Sequence, residues 1–174
     1  MKKVMSLLLA GCLTLGLAGA TWAANSQTLA TDIIGLADGN LNVEYEKPFG
    51  GKSSLLFGAG IVDYEEGDTE ISGFGFSGSY RLYINDKLNH KAGAFQGFFI
   101  QGTAGVSMLD MEFYGDEDDQ TVLAVGGLFG YKYIVDGGFT IEGGIGPVFT
   151  SGDDFHDYET GVDVGLSLKA GYTW

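Results

Sequence analysis

The chain carries one cysteine, two prolines and two histidines in 174 residues. The cysteine, Cys12, falls inside an N-terminal apolar run, so no disulfide framework can hold the rest of the chain. Thirty glycines occur without a triplet period, which excludes a collagen-like chain. Basic residues are scarce: nine Lys and Arg stand against 23 Asp and Glu, a net charge of −14. A surface of that sign repels phosphate backbones and excludes nucleic-acid binding. It attracts divalent cations and cationic partners instead. Beyond residue 23 no convincing helical periodicity is present either.

What is present begins with MKKVMSLLLAGCLTLGLAGATWA: two lysines, an apolar run, then small residues. This is the three-part layout of a secretory signal peptide, over residues 1–23, with cleavage after Ala20 or, preferred, Ala23. The small-residue exit and the absence of positive charge after it argue against a membrane-spanning helix. Leu9-Ala10-Gly11-Cys12 resembles a lipoprotein cleavage box, but the segment after it stays apolar instead of becoming a polar tether. The remaining residues, 24–174, suffice for one domain, with seven basic residues against 23 acidic ones and a net charge of −16.

That domain reads as period-two alternation broken at regular intervals by Gly, Asp, Asn and Lys, the pattern of antiparallel strands and turns. The pattern predicts eight strands, near 28–36, 40–47, 53–64, 71–84, 95–113, 120–135, 138–150 and 160–174, with a tight hairpin at Ala37-Asp38-Gly39-Asn40. One face of the strands is bulky and apolar: Phe57 and Ile61, Phe74 and Phe76, Phe98 and Ile100, Val125 and Phe129, Ile141 and Ile145. The other is small: Gly58 and Gly60, Gly75 and Ser77, Thr103 and Gly105, Gly126 and Gly130, Gly144 and Gly146.

A strand face turned to water normally carries Lys, Glu and Thr, because Gly weakens a strand without compensating contacts. Gly and Ser suit a cramped interior, since eight strands leave a lumen only wide enough for side chains to fill. The bulky face then points outward, and an apolar exterior all round is stable only in lipid. Closed barrels are admitted there because they leave no backbone group unpaired. The expected fold is therefore an all-β, antiparallel up-and-down transmembrane barrel of eight strands.

On these residues, together with Leu-Asn-Val-Glu-Tyr-Glu-Lys at 41–47 and Gly-Tyr-Lys-Tyr at 130–133, the chain resembles the small outer-membrane β-barrels of the OmpA/OmpX type. The resemblance covers the whole mature chain. It implies an outer-membrane address in a bacterium with two membranes, in contact with outer-membrane lipid and lipopolysaccharide. It also implies that Leu166, Leu168, Ala170, Tyr172 and the terminal Trp174 form the signal read by the barrel-assembly machinery. One barrel hosts many functions, so the resemblance leaves function open.

With both termini periplasmic, the turns at 48–52, 85–94 and 136–138 are periplasmic and the loops near 37–40, 65–70, 114–120 and 150–160 extracellular. The seven basic residues fall in or near the periplasmic half, whereas EEGDTE, YGDEDDQ and SGDDFHDYET fall outside. The acidic loops keep the outer rim wet; a sharper reading has Asp116, Asp118 and Asp119, or Asp153 and Asp154, hold divalent cations against lipopolysaccharide phosphates. Phe113, Tyr114, Phe155 and Tyr158 are expected to form the outer aromatic girdle, and Tyr45, Tyr83, Tyr131, Tyr133, Tyr172 and Trp174 the periplasmic one.

Inside, Arg81, Lys132 and Lys169 share a depth with Glu44, Glu46 and Glu142. Isolated buried charges are costly, so these six are expected to pair into an interior salt-bridge layer that plugs the lumen. Catalysis finds little support. His90 lies in a periplasmic turn. His156-Asp157-Tyr158 lacks the serine that lipid A deacylase barrels place two residues from their histidine. The expectation is a non-enzymatic barrel without cofactor, structural or interactive in role. The alternatives are a small solute or ion channel and, after it, a lipid-modifying enzyme.

Overall fold

The computed structural model describes residues 27–37, 39–49, 52–66, 69–84, 88–89, 94–113, 116–152 and 161–174. Eight strands close a barrel: β1 (Thr28–Asp32), β2 (Leu41–Pro48), β3 (Ser53–Glu66), β4 (Thr69–Tyr83), β5 (Gly97–Phe113), β6 (Asp116–Ile134), β7 (Phe139–Gly152) and β8 (Gly161–Thr173). Each pairs antiparallel with its neighbours in sequence, and β1 closes the ring against β8 from Thr28↔Thr173 to Asp32↔Lys169. The ladder lapses at Gly127–Leu128 opposite Gly146–Pro147, where proline offers no N–H. The expected leader over 1–23 lies outside the described residues.

The barrel is built inside out relative to a water-soluble one. Among its most deeply buried side chains are Arg81, Lys132, Tyr83 and Phe99. Large apolar side chains cover the exterior on every strand from β3 to β8, among them Phe57, Phe76, Ile100, Val125, Ile145 and Leu166. Alternation places one set outside and the other within, since successive side chains of a strand point to opposite faces. The expected face assignments hold, strand after strand.

The end that carries Gln27 and Trp174 is tightly tied. Gln27 and Trp174 exchange backbone hydrogen bonds, N–H to O, at 2.9 and 3.0 Å. In the β6–β7 turn Gly138 adopts a φ of +94° and accepts from the Thr173 N–H at 2.7 Å. A Cβ at Gly138 would lie 2.3 Å from the Thr173 carbonyl oxygen, so this position requires glycine.

Four expectations are corrected. The first strand does not run to residue 36: it stops at Asp32, and α1 (Ile33–Ala37) follows. The Asp32 carboxylate is the reason, because its Oδ1 accepts from the N–H groups of Ile34 at 2.9 Å and Gly35 at 3.2 Å, an N-cap where a strand was expected. The tight hairpin at 37–40 is replaced by the end of this helix, where the Asn40 N–H donates to the Gly35 carbonyl.

Second, the acidic segments at 65–70 and 114–120 are mostly strand rather than loop: β3 runs to Glu66, β4 starts at Thr69, β5 runs to Phe113 and β6 starts at Asp116. Register, carried upward by the strong pairing below, overrides the local charge. Third, the 85–94 turn contains a two-stranded ribbon pairing Leu88–Asn89 with Ala94–Phe95. Fourth, Tyr83 is no girdle residue; at 1% exposure it lies in the lumen. Tyr131, Tyr133 and Tyr172 are exposed outside.

Candidate functional site

The lumen near the terminal end is filled by a layer of charge. Alternation on β4 turns Arg81 inward, and the same rule turns in Glu44 and Glu46 from β2, Lys132 from β6, Glu142 from β7 and Lys169 from β8. All six are buried, and Arg81 is 0% exposed. Arg81 is the hub. Its Nη1 and Nη2 each donate to one oxygen of Glu142 at 2.9 Å, a bidentate pair of the geometry guanidinium and carboxylate share. Nη1 also reaches Glu46 at 3.1 Å, and Nη2 lies 3.7 Å from Glu44. Lys132 donates to Glu46 at 2.5 Å, and Lys169 to Glu44 at 2.7 Å with Glu142 3.7 Å away. Three cations thus meet three carboxylates, and the layer carries no net formal charge.

Neutral groups complete it. Gln101 accepts from Arg81 Nε at 2.9 Å and Nη2 at 2.7 Å, while the Tyr83 hydroxyl donates to Glu46 at 2.7 Å. Lys132 donates to the Thr28 hydroxyl at 2.7 Å, which bonds in turn to Thr173, itself bonded to Thr140. The guanidinium stacks over the Phe99 ring, 4.0 Å from its centroid. Phe99 has room because its ring lies on Gly130, where a Cβ would come within 2.5 Å of it. Below, Phe95 of the ribbon stacks on Tyr83 with centroids 5.3 Å apart.

Sequence reasoning assembled the six charges but missed Tyr83, Thr28, Phe99 and Thr173 as members of the layer. A signal existed for Tyr83, two residues after Arg81 and so on the same face. The bulk of its ring masked that signal by matching a girdle residue.

No protein-family model matches the sequence, and no curated protein matches it. Among solved structures, Neisserial surface protein A (NspA) superposes with a TM-score of 0.51 over 86% of this chain and 94% of that one, at 10% identity. The fold is that of the OmpA/OmpX-like outer-membrane barrels. A second match is Ail, the attachment invasion locus protein of Yersinia pestis, with a TM-score of 0.45 and 17% identity over 86% of this chain and 93% of that one.

The other sequence-derived candidates are placed as follows. Leu166, Leu168 and Tyr172 are exposed on the outer face of β8, with Ala170 and Trp174 half-buried beside them; Trp174 stacks on Tyr172 with centroids 6.4 Å apart. Asp119 is exposed on β6, where Asp116 and Asp118 also fall, while Asp153 and Asp154 lie outside the described residues. Among the described residues no cluster of three or more His, Cys, Asp or Glu is arranged to hold a metal ion. The two histidines, with Tyr114, Phe155 and Tyr158, lie outside the described residues.

Proposed function

We propose that this chain is an integral outer-membrane barrel whose lumen is closed by its ion-pair layer, and that its role is structural or interactive. The observation that carries this is the mutual satisfaction of six buried charges on five strands, backed by Tyr83, Gln101 and Phe99. Breaking such a layer to pass an ion strands charges in a low-dielectric interior, which holds the arrangement shut. The apolar exterior supports the membrane address. Residues 1–23 direct export and are removed, the terminal end faces the periplasm, and residues 166–174 guide assembly. Lipopolysaccharide surrounds the acidic outer hairpins, and divalent cations offset their charge there.

The barrel is non-enzymatic in this reading. Phospholipase and deacylase assays are expected to show no turnover; activity lost in His156→Ala would overturn that part. Two measurements test the rest. Membrane fractionation with a gel of boiled and unboiled samples is expected to show a membrane-bound, heat-shifted species. Planar-bilayer recordings of the folded protein are expected to show no steady unitary current, and a regular current would refute the closed lumen.

A further inference from the structure

The helix α1 is weak, and it stands where the wall has room for strand. It is five residues long, buries none of them, and carries neither an acidic residue in its first turn nor a basic one in its last. A single turn does not hold itself together in isolation. The β-branched Ile33 and Ile34 and the flexible Gly35 all rank below the good helix formers. What holds the turn is Asp32: its Oδ1 accepts from the Ile34 and Gly35 N–H groups, and its Oδ2 accepts from the Ser167 hydroxyl at 3.3 Å.

The neighbouring edge is built for a strand. β8 pairs with β7 from Gly161 to Tyr172, but with β1 only from Lys169 onward. Gln27 and Trp174 exchange both backbone bonds, and hydrogen-bonded pairs recur at every second residue of an antiparallel ladder. The β1 register therefore continues as Ile33↔Leu168 and Gly35↔Leu166, both hydrogen-bonding positions. Among the described residues no backbone hydrogen bond joins Ile33–Ala37 to β8. Leu166 and Leu168 thus turn ladder groups toward a gap inside the apolar belt, where unpaired backbone is costly. On the other side the chain already follows the strand line. A Cβ at Gly39 would lie 2.7 Å from the Asp63 carbonyl oxygen, where the β2–β3 register places its continuation beyond Leu41↔Ile61.

The alternation of β1 continues as well. Thr28 and Ala30 are buried toward the lumen, so an extended chain turns Ile34 inward and Ile33 outward beside Leu168. By register Ile34 then stands between Ser167 and Asn40. Both line the upper lumen, a cavity of about 370 Å³. Eight-stranded barrels fill their lumens with side chains, and this one has space for Ile34.

We infer that Ile33–Gly35 is a two-state switch. Capped by Asp32, it is the observed helix; released from the cap, it extends β1, zips onto Leu166–Leu168 and sends Ile34 into the upper lumen. The Asp32 carboxylate is the latch. The two packings exchange a few hydrogen bonds of the cap for two hydrogen-bonded pairs of the ladder, a balance close enough to be tipped by one side chain. The switch sets the free volume of the upper lumen, and it does not depend on whether the ionic layer stops a current.

The test is NMR of the isotope-labelled full barrel in phospholipid nanodiscs. The wild type is expected to give helical Cα shifts over Ile33–Leu36, with relaxation dispersion at 33–36 and 166–168 from the minor state. Asp32→Val and Gly35→Val weaken the helix independently. Each should turn those shifts extended, bring Ile34 methyl groups against Asn40, and bring up the Hα–Hα contact between Ile34 and Ser167 that marks a non-hydrogen-bonded pair. Ile33→Pro suits the first helical position and lacks the N–H that the ladder needs. It should keep the helical shifts and cut the dispersion at least tenfold, and in Asp32→Val it should abolish the 34–167 contact. Helical or random-coil shifts in both valine variants, or dispersion unchanged by Ile33→Pro, would overturn the inference. The heat shift is read on the same samples. A shifted barrel with those results refutes the switch alone, whereas a wild type without the shift refutes the membrane barrel itself.

Discussion

Replacing Arg81 by alanine removes the hub of the ionic layer. Glu142 loses both of its 2.9 Å hydrogen bonds and keeps only Lys169 at 3.7 Å. Glu46 is better protected, because Lys132 and Tyr83 still donate to it. One carboxylate is therefore stranded, together with the Gln101 carbonyl and the Phe99 face. Removing one partner of a buried pair costs about 3–5 kcal/mol. Lys169 can close part of the gap, so about 3 kcal/mol is expected. At a urea slope of about 2 kcal/mol per molar, the unfolding midpoint falls by about 1.5 M. The assay is equilibrium unfolding from lipid vesicles, followed by tryptophan fluorescence and the gel shift. Glu142→Gln in the same background removes the stranded charge, so the double variant should be more stable than the sum of single losses implies, by about 2 kcal/mol. A loss below about 1 kcal/mol for Arg81→Ala, or strict additivity, would refute the reasoning.

Three further outcomes follow from the geometry. Deleting Trp174, which exchanges two backbone bonds with Gln27, should cut outer-membrane assembly far more than Phe49→Ala, a change of one exposed aromatic at the same end, as read by the heat-shifted band in membrane fractions. Gly138→Ala should destabilise the barrel by about 2 kcal/mol in the same urea titration, through its positive φ and the Thr173 carbonyl it would meet. Finally, the register sets Asp63, Ser72, Asp110 and Asp119 in one row across β3–β6, with Asp110 directly opposite Asp119. Like charges directly opposed weaken pairing, and salt screens them. Hydrogen exchange at residues 110–119 should slow between low and high salt while exchange at 99–105 stays constant; equal responses would show that the row exerts no strain.

The sequence by itself determined the architecture. Period-two alternation fixes which side chains share a face, and the contrast between Phe57 or Ile100 outside and Gly58 or Gln101 within decides which face meets lipid. Because distance from the strand ends gives depth and parity gives the face, the six charges of the layer could be named from sequence. What parity cannot supply is partnership. The pairing of Arg81 with Glu142 rather than Glu44, and the Phe99 ring lying on Gly130 beneath the guanidinium, depend on shear and on distances across the lumen. Those are properties of the closed ring, not of any one strand. The short helix after β1 was equally hidden. The apolar Ile33-Ile34 reads as strand, and only a folded barrel shows Asp32 capping a helix in the wall, because its carboxylate finds the Ile34 and Gly35 N–H groups and the Ser167 hydroxyl together. The acidic hairpins followed the same logic in reverse. Local charge predicted loops at 65–70 and 114–120, and cooperative ladders anchored by the apolar belt carried the strands through them.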